Sequence, residues 1–102
     1  MRRQWNSVVH QLMQSAPLAL DWRSVRTVRV LRGHTDNVSS CAFAPDGSNL
    51  VTTSFDNTTR VWCTRDWSHL HTLTGHTHRV RSCAFAPDGR TLVTTSEDAT
   101  AR

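Results

Sequence analysis

The sequence predicts an all-β fold built from repeated four-stranded antiparallel units, and three observations predict it. The first is an internal repeat: Gly33–Arg60 (GHTDNVSSCAFAPDGSNLVTTSFDNTTR) matches Gly75–Arg102 (GHTHRVRSCAFAPDGRTLVTTSEDATAR) without a gap, with 20 of 28 positions identical at an offset of 42 residues. The second is the make-up of each copy, in which short runs rich in Val, Thr and Phe alternate in character as strands do. The third is punctuation, since Ala-Pro-Asp-Gly recurs at 44–47 and 86–89, between the same two runs of each copy. A period of this size marks supersecondary units that bury their faces by stacking on one another.

The elements follow in chain order. Trp5, Val8, Val9, Leu12 and Met13 fall at i, i+3, i+4, i+7 and i+8 and predict a short amphipathic helix over 4–15, stopped by Pro17. Its polar face (Gln4, Asn6, Gln11, Gln14) lacks the basic residues of membrane-surface helices, so packing against a neighbouring surface is the expected role. Within the segment 27–34, residues 29–34 align with 71–76 at the same offset, which predicts an outer strand at 26–31 and divides the chain into 1–25 (helix and linker) and 26–102 (repeats 33–74 and 75–102). In the first strand of each copy, Val38, Ser40 and Ala42 alternate with Ser39, Cys41 and Phe43, and Val80, Ser82 and Ala84 with Arg81, Cys83 and Phe85. Pro, Asp and Gly then make a tight turn. The second strands are NLVTTS and TLVTTS, and Asp56-Asn57 and Asp98-Ala99 mark the next turn. TTRVW (58–62) is a third strand and HLHTL (69–73) a fourth. Four short strands per roughly 40–45 residues is the repeat of a β-propeller blade. The second copy carries two and a half of those strands before Arg102.

Composition narrows the function. The 102 residues are 37% hydrophobic and 20% charged, which is globular and enough for one small domain. No apolar run is long enough to span a bilayer, and the stretch after Arg2-Arg3 is too interrupted for a secretory signal, so the expected compartment is cytoplasmic. All twelve basic residues are arginine; residues 1–32 carry a net +5 and residues 33–102 a net −1. Arg23, Arg26, Arg29 and Arg32 stand singly among apolar residues with no aromatic platform, the pattern of a solvated face rather than a nucleic-acid interface. Cys41 and Cys83, at matching places in the repeat, read as small buried hydrophobes in a reducing compartment, and Cys63 as unpaired. His69, His71, His76 and His78 are clustered in sequence near Cys63, and alternation puts His69 and His71 on one strand face. Zinc requires three or four ligands fixed in geometry, and no such set is spaced here, so neither metal nor cofactor is expected.

The run Gly33-His34, Pro45-Asp46-Gly47, Ser54-Phe55-Asp56 and Arg60-Val61-Trp62 resembles a WD-repeat unit, and Gly75-His76 to Asp98 resembles part of a second. One position departs from the family pattern: Cys63 stands where the Asp of the Trp-Asp pair usually lies. The resemblance implies an incomplete WD-repeat β-propeller with four-stranded antiparallel blades and a short N-terminal helix, expected to be a fragment of a larger WD-repeat protein. It further implies a buried structural hydrogen-bond network of His34, Thr52 or Ser54, Asp56 and Trp62, and in the second copy His76, Thr94 or Ser96, and Asp98, with no tryptophan to close it. It implies partner contacts at Asn37, Ser39 and Phe55, and at Arg79, Arg81 and Glu97, positions that differ between otherwise matching copies. The implied function is a non-catalytic protein–protein interaction scaffold. The trio Ser54, His34 and Asp56 suggests a hydrolase, but it recurs at Ser96, His76 and Asp98 and no nucleophile elbow surrounds it, so a structural role is expected. Alternative readings are the sensing end of a larger kinase or nucleotide-binding switch protein, or a partial propeller that self-associates through open blade edges. For the former the chain supplies no phosphate loop and no lysine.

Overall fold

The Ala-Pro-Asp-Gly tetrapeptides close the first hairpin of each copy in the computed structural model, which describes residues 22–102. Gly47 N–H donates to Ala44 O and Gly89 N–H to Ala86 O, each at 2.9 Å. Both glycines have positive φ (78° and 73°), which a side chain would oppose. Asp46 and Asp88 brace the turns by accepting the N–H of Ser48 and Arg90. The helix expected over 4–15 lies outside the described residues.

After a 3-10 turn at Trp22–Ser24 come β1 (Val38–Phe43), β2 (Asn49–Ser54), β3 (Thr59–Cys63) and β4 (His69–Leu73), an antiparallel sheet in the order β1-β2-β3-β4. β5 (Val80–Phe85) and β6 (Leu92–Ser96) form a second antiparallel pair. The two copies share register: Val38 faces Ser54 and Phe43 faces Leu50, as Val80 faces Ser96 and Phe85 faces Leu92. Each has a bulge at the same place, at Ser39 and at Arg81. The third strand of the second copy is present as a bridge from Thr95 to Ala101, with Thr94 and Arg102 exchanging two backbone hydrogen bonds of 2.8 Å.

Two expectations need correction. The outer strand expected at 26–31 is not formed; the segment is irregular and exposed, with Val28 82% and Val30 58% accessible. A strand exists only through its ladder, and no described element runs beside this one to supply hydrogen-bond partners. Cys41, expected to be buried, is exposed, and Cys83 only half-buried. The thiol of Cys83 is pushed up to about 11 by desolvation and by its proximity to Cys41.

The packing of β5 on β1 and β2 joins the two units. It explains why equivalent residues differ in burial: Val80 is 0% exposed and Val38 58%, because the first unit covers the inner strand of the second while no described element covers β1 on that side. At the far rim Gly89 lies against Pro45, where an added Cβ would come within 3.4 Å of the proline ring. The buried set is small and rich in hydroxyls: Ala44, Val51, Trp62 and Val80 with Thr52, Thr53, Ser54, Thr59 and Thr94.

The Val38/Val80 pair gives a matched test of blade-on-blade packing. Val80→Ala is expected to cost roughly 1.5–3 kcal/mol, the scale of burying a valine side chain. Val38→Ala at the same repeat position is expected to stay within about 0.5 kcal/mol. Urea unfolding of the two variants measures the difference, and equal losses would contradict the packing described.

Candidate functional site

A hydroxyl-rich interior is stable only if its polar groups are paired, and the pairing is organised around Asp56. Its carboxylate accepts from His34 Nδ1–H (2.9 Å), Thr35 N–H (3.0 Å), Thr58 N–H (2.9 Å) and the Thr58 hydroxyl. His34 Nε2 lies 2.8 Å from Thr52 Oγ1, which is also 2.9 Å from the Trp62 indole nitrogen. Every donor has an acceptor when the protons run one way: Trp62 Nε1–H to Thr52, Thr52 O–H to His34 Nε2, and His34 Nδ1–H to Asp56. Thr52, not Ser54, is therefore the strand hydroxyl of the relay. Ser54 Oγ accepts Asp56 N–H (3.0 Å) and donates to Asp36 O (3.3 Å), bracing the turn instead.

The second copy repeats the geometry. Asp98 accepts from His76 Nδ1–H (2.8 Å), Thr77 N–H (3.1 Å), Thr100 N–H (2.8 Å) and the Thr100 hydroxyl, and Thr94 Oγ1 is 2.9 Å from His76 Nε2. Ser96 holds the turn through Asp98 N–H and His78 O. The His34 and Asp56 side chains are 6% and 9% exposed, and those of His76 and Asp98 5% and 6%. Desolvation alone would raise the pKa of Asp56, but the bonds from Thr58, His34 and Thr35 outweigh it and hold the carboxyl well below its usual range. For Asp98 the Thr100 hydroxyl lowers the pKa most, and its depression survives an opposing desolvation with further help from His76, Thr77 and the Thr100 N–H.

Sequence reasoning assigned no role to two positions of this frame in each copy. Thr58 and Thr100 each close the acid's cradle, and each stands two residues after its Asp. Arg60 and Arg102 lie over the glycine before each histidine; a Cβ at Gly33 would stand 2.5 Å from Arg60 Nη1, the end of a side chain that can shift, so it is the φ of 149° more than the space that favours glycine there. Identity at these positions in both copies was the available signal.

The six expected contact residues separate into two groups. Phe55 of the β2–β3 turn meets the second unit: Arg79 and Arg81 place their guanidinium carbons 4.7 and 5.5 Å from its ring centroid. Glu97 Oε2 is 3.3 Å from Arg81 Nη1, which brings four of the six together at one rim of the seam. Asn37 is exposed beside them, its carbonyl accepting Phe55 N–H. Ser39 turns inward, accepting from Thr53 Oγ1 (2.8 Å) and donating to Val80 O (2.6 Å) across the seam. Its bulge thus serves blade packing, whereas the bulge at Arg81 aims a side chain outward.

The residues that suggested chemistry are engaged otherwise. Ser54 Oγ bonds Asp36 O and Asp56 N–H, and both His34 ring nitrogens are taken by Asp56 and Thr52, so no nucleophile–base pair is assembled from that trio. His69 packs edge-on against Trp62 and bonds Thr72, and a register shift at Leu70 interrupts the alternation with His71. Among the described residues no three His, Cys, Asp or Glu side chains come together as a metal cage.

The family model described as WD domain, G-beta repeat matches residues 25–63 and 67–102. The chain is 36% identical over 63 residues to the WD repeat-containing protein srw1 of Schizosaccharomyces pombe, covering 62% of this chain and 11% of that protein. It is 47% identical over 49 residues to transcription initiation factor TFIID subunit 5 of Drosophila melanogaster, covering 48% and 7% respectively. An uncharacterized WD repeat-containing protein of Synechocystis, sll1491, is 49% identical over 47 residues, covering 42% and 14%. The chain thus spans no more than 14% of the length of these three relatives.

Thr52→Val should remove the acceptor of the indole and the donor to His34 together and cost roughly 2–4 kcal/mol, at about 1–3 kcal/mol per buried group left unpaired. Thr94→Val disturbs chiefly His76 and is expected to cost about half as much by the same rule; comparable urea midpoints for the two variants would contradict the relay. The acid side gives a separate readout. Because the folded-state pKa values of Asp56 and Asp98 are depressed, their stabilisation is complete above the usual unfolded carboxyl range near pH ~4 and is lost as pH falls through the folded values. Asp56→Asn with Asp98→Asn should flatten the decline of stability below about pH 4, measured as the urea midpoint against pH. An unchanged acid limb would show that these carboxylates are not the linked groups.

Proposed function

The chain belongs to the WD-repeat family, and from that premise we propose that it is a non-catalytic protein–protein interaction module and a portion of a larger cytoplasmic scaffold. The observation that carries this reading is the seam rim. Residues that differ between two otherwise matching copies, Phe55 from one and Arg79, Arg81 and Glu97 from the other, meet on a shared surface. The framework beneath them (His34, Thr52, Asp56 and their counterparts His76, Thr94, Asp98) repeats atom for atom in its bonding. A fixed frame that presents variable side chains is what recognition of a partner requires. Aromatic and arginine side chains are also the types that dominate interface energetics. Ser39, committed to the seam, is not part of the proposed contact set, and Asn37 lies at its margin.

Tagged chain, cross-linked in cells, is expected to retain specific proteins that Phe55→Ala and Arg79→Ala release. His71→Ala, exposed on β4 away from this rim, should retain them. Retention of every partner by both rim variants would overturn the assignment of the surface.

A further inference from the structure

The rim cluster carries a charge imbalance that bears on its ligand. Arg79 and Arg81 both stand over one aromatic ring, where cation–π attraction holds their guanidinium groups, and both residues are exposed, so N–H edges remain open to solvent. Arg81 has a carboxylate beside it, Glu97, whereas among the described residues no carboxylate pairs with Arg79. Such an edge is the surface on which a planar carboxylate docks with two parallel hydrogen bonds. We propose that the Phe55–Arg79–Arg81 cluster binds an Asp/Glu-rich segment of a partner protein. Arg79 takes one carboxylate, and Arg81 exchanges Glu97 for another. The inference rests on the reading of this rim as the interaction surface and names the chemistry of what it takes.

Two observations favour carboxylates over other anions. Glu97 already sets a carboxylate on one of these guanidinium groups through a single N–O approach of 3.3 Å; with the Arg81 and Glu97 side chains 56% and 39% exposed, that pair is screened and weak, so an incoming group can replace it. The same rim also holds negative charge, in Glu97 and in Asp36, whose carboxylate accepts the N–H of Asn37 beside Phe55. Single carboxylate charges tolerate those neighbours better than a phosphate dianion does. The cluster is also built across the seam, from the first unit's Phe55 and the second unit's arginines, so it exists only when the two are docked.

The test is fluorescence polarisation of a labelled hexaglutamate peptide with the full chain, with hexaglutamine as the neutral control. Hexaglutamate is expected to bind in a salt-dependent way and hexaglutamine not to bind. Arg79→Gln should weaken binding about tenfold, the scale of one charge-assisted contact. Arg65→Gln, exposed in the β3–β4 turn, should change it by less than about twofold. Glu97→Gln removes the internal competitor and should tighten binding about threefold, a gain that loss of folding cannot produce. The inference is overturned if Arg79→Gln has no effect or if Glu97→Gln weakens binding. It is equally overturned if a phosphoserine peptide or an oligo-dT strand binds more tightly than hexaglutamate. Any of these results, with partner release by the alanine variants intact, would remove the acidic ligand and leave the interaction module standing. Retention of partners by those variants would remove the module itself.

Discussion

Each unit is organised by a carboxylate taken out of water. Asp56 and Asp98 are nearly inaccessible, and a buried charge is tolerated only when its lone pairs are occupied. Four donors do this in each case, and they come from the loop before the inner strand and from the turn before the third strand. Satisfying the acid therefore fixes where the chain must enter the blade and where it must turn. The imidazole then carries the constraint to the centre of the sheet, through Thr52 to the Trp62 indole. A core with four buried apolar side chains among the described residues gains its definition from this chain of donors as much as from apolar area.

The second level of organisation is the seam. Burial is unequal at repeat-equivalent positions, as at Val38 and Val80, or Thr53 at 0% and the exposed Thr95. The sequence is nearly the same at both places, so burial there is a property of the neighbour and not of the residue. Repeat architectures behave this way because each unit lends a face to the next. Contacts at three heights join the two units: Pro45 against Gly89, Ser39 to the Val80 carbonyl, and Phe55 beneath the two arginines.

Strands β1 to β6 were legible because alternation, turn tetrapeptides and the repeat all pointed the same way. The His, Thr, Asp and Trp positions were legible through family resemblance, although sequence left Thr52 and Ser54 as alternatives. Geometry separates them, since only Thr52 lies between the imidazole and the indole. The outer strand expected at 26–31 and the burial expected for Cys41 failed for one reason: both depend on neighbouring elements, and a local pattern does not report neighbours. Ser39 is a subtler case. Its variability suggested an outward role, yet its bulge turns the hydroxyl into the seam. The turn residue Ala99, at φ 69°, shows the repeat overriding local preference; Asn57 suits the equivalent position, while alanine there costs about 1 kcal/mol.

Frame and rim make opposite demands on sequence, and the 42-residue repeat separates them. A change at His34 or Asp56 leaves a buried group unpaired, so those positions admit few residues. A change at Phe55 or Arg79 leaves the relay bonds intact, because neither side chain belongs to them. The rim is not independent of the frame, however. The β2–β3 turn that carries Phe55 is braced by Ser54 and Asp56, and Arg79 O accepts the N–H of Glu97 at the matching turn of the second unit. Rigid turns hold the aromatic ring still enough for two guanidinium groups to settle on it, so the proposed acidic ligand would meet them with less entropy to lose. The buried acid thus reaches the proposed interaction surface indirectly: it fixes the turns, the turns place the ring, and the ring places the charges.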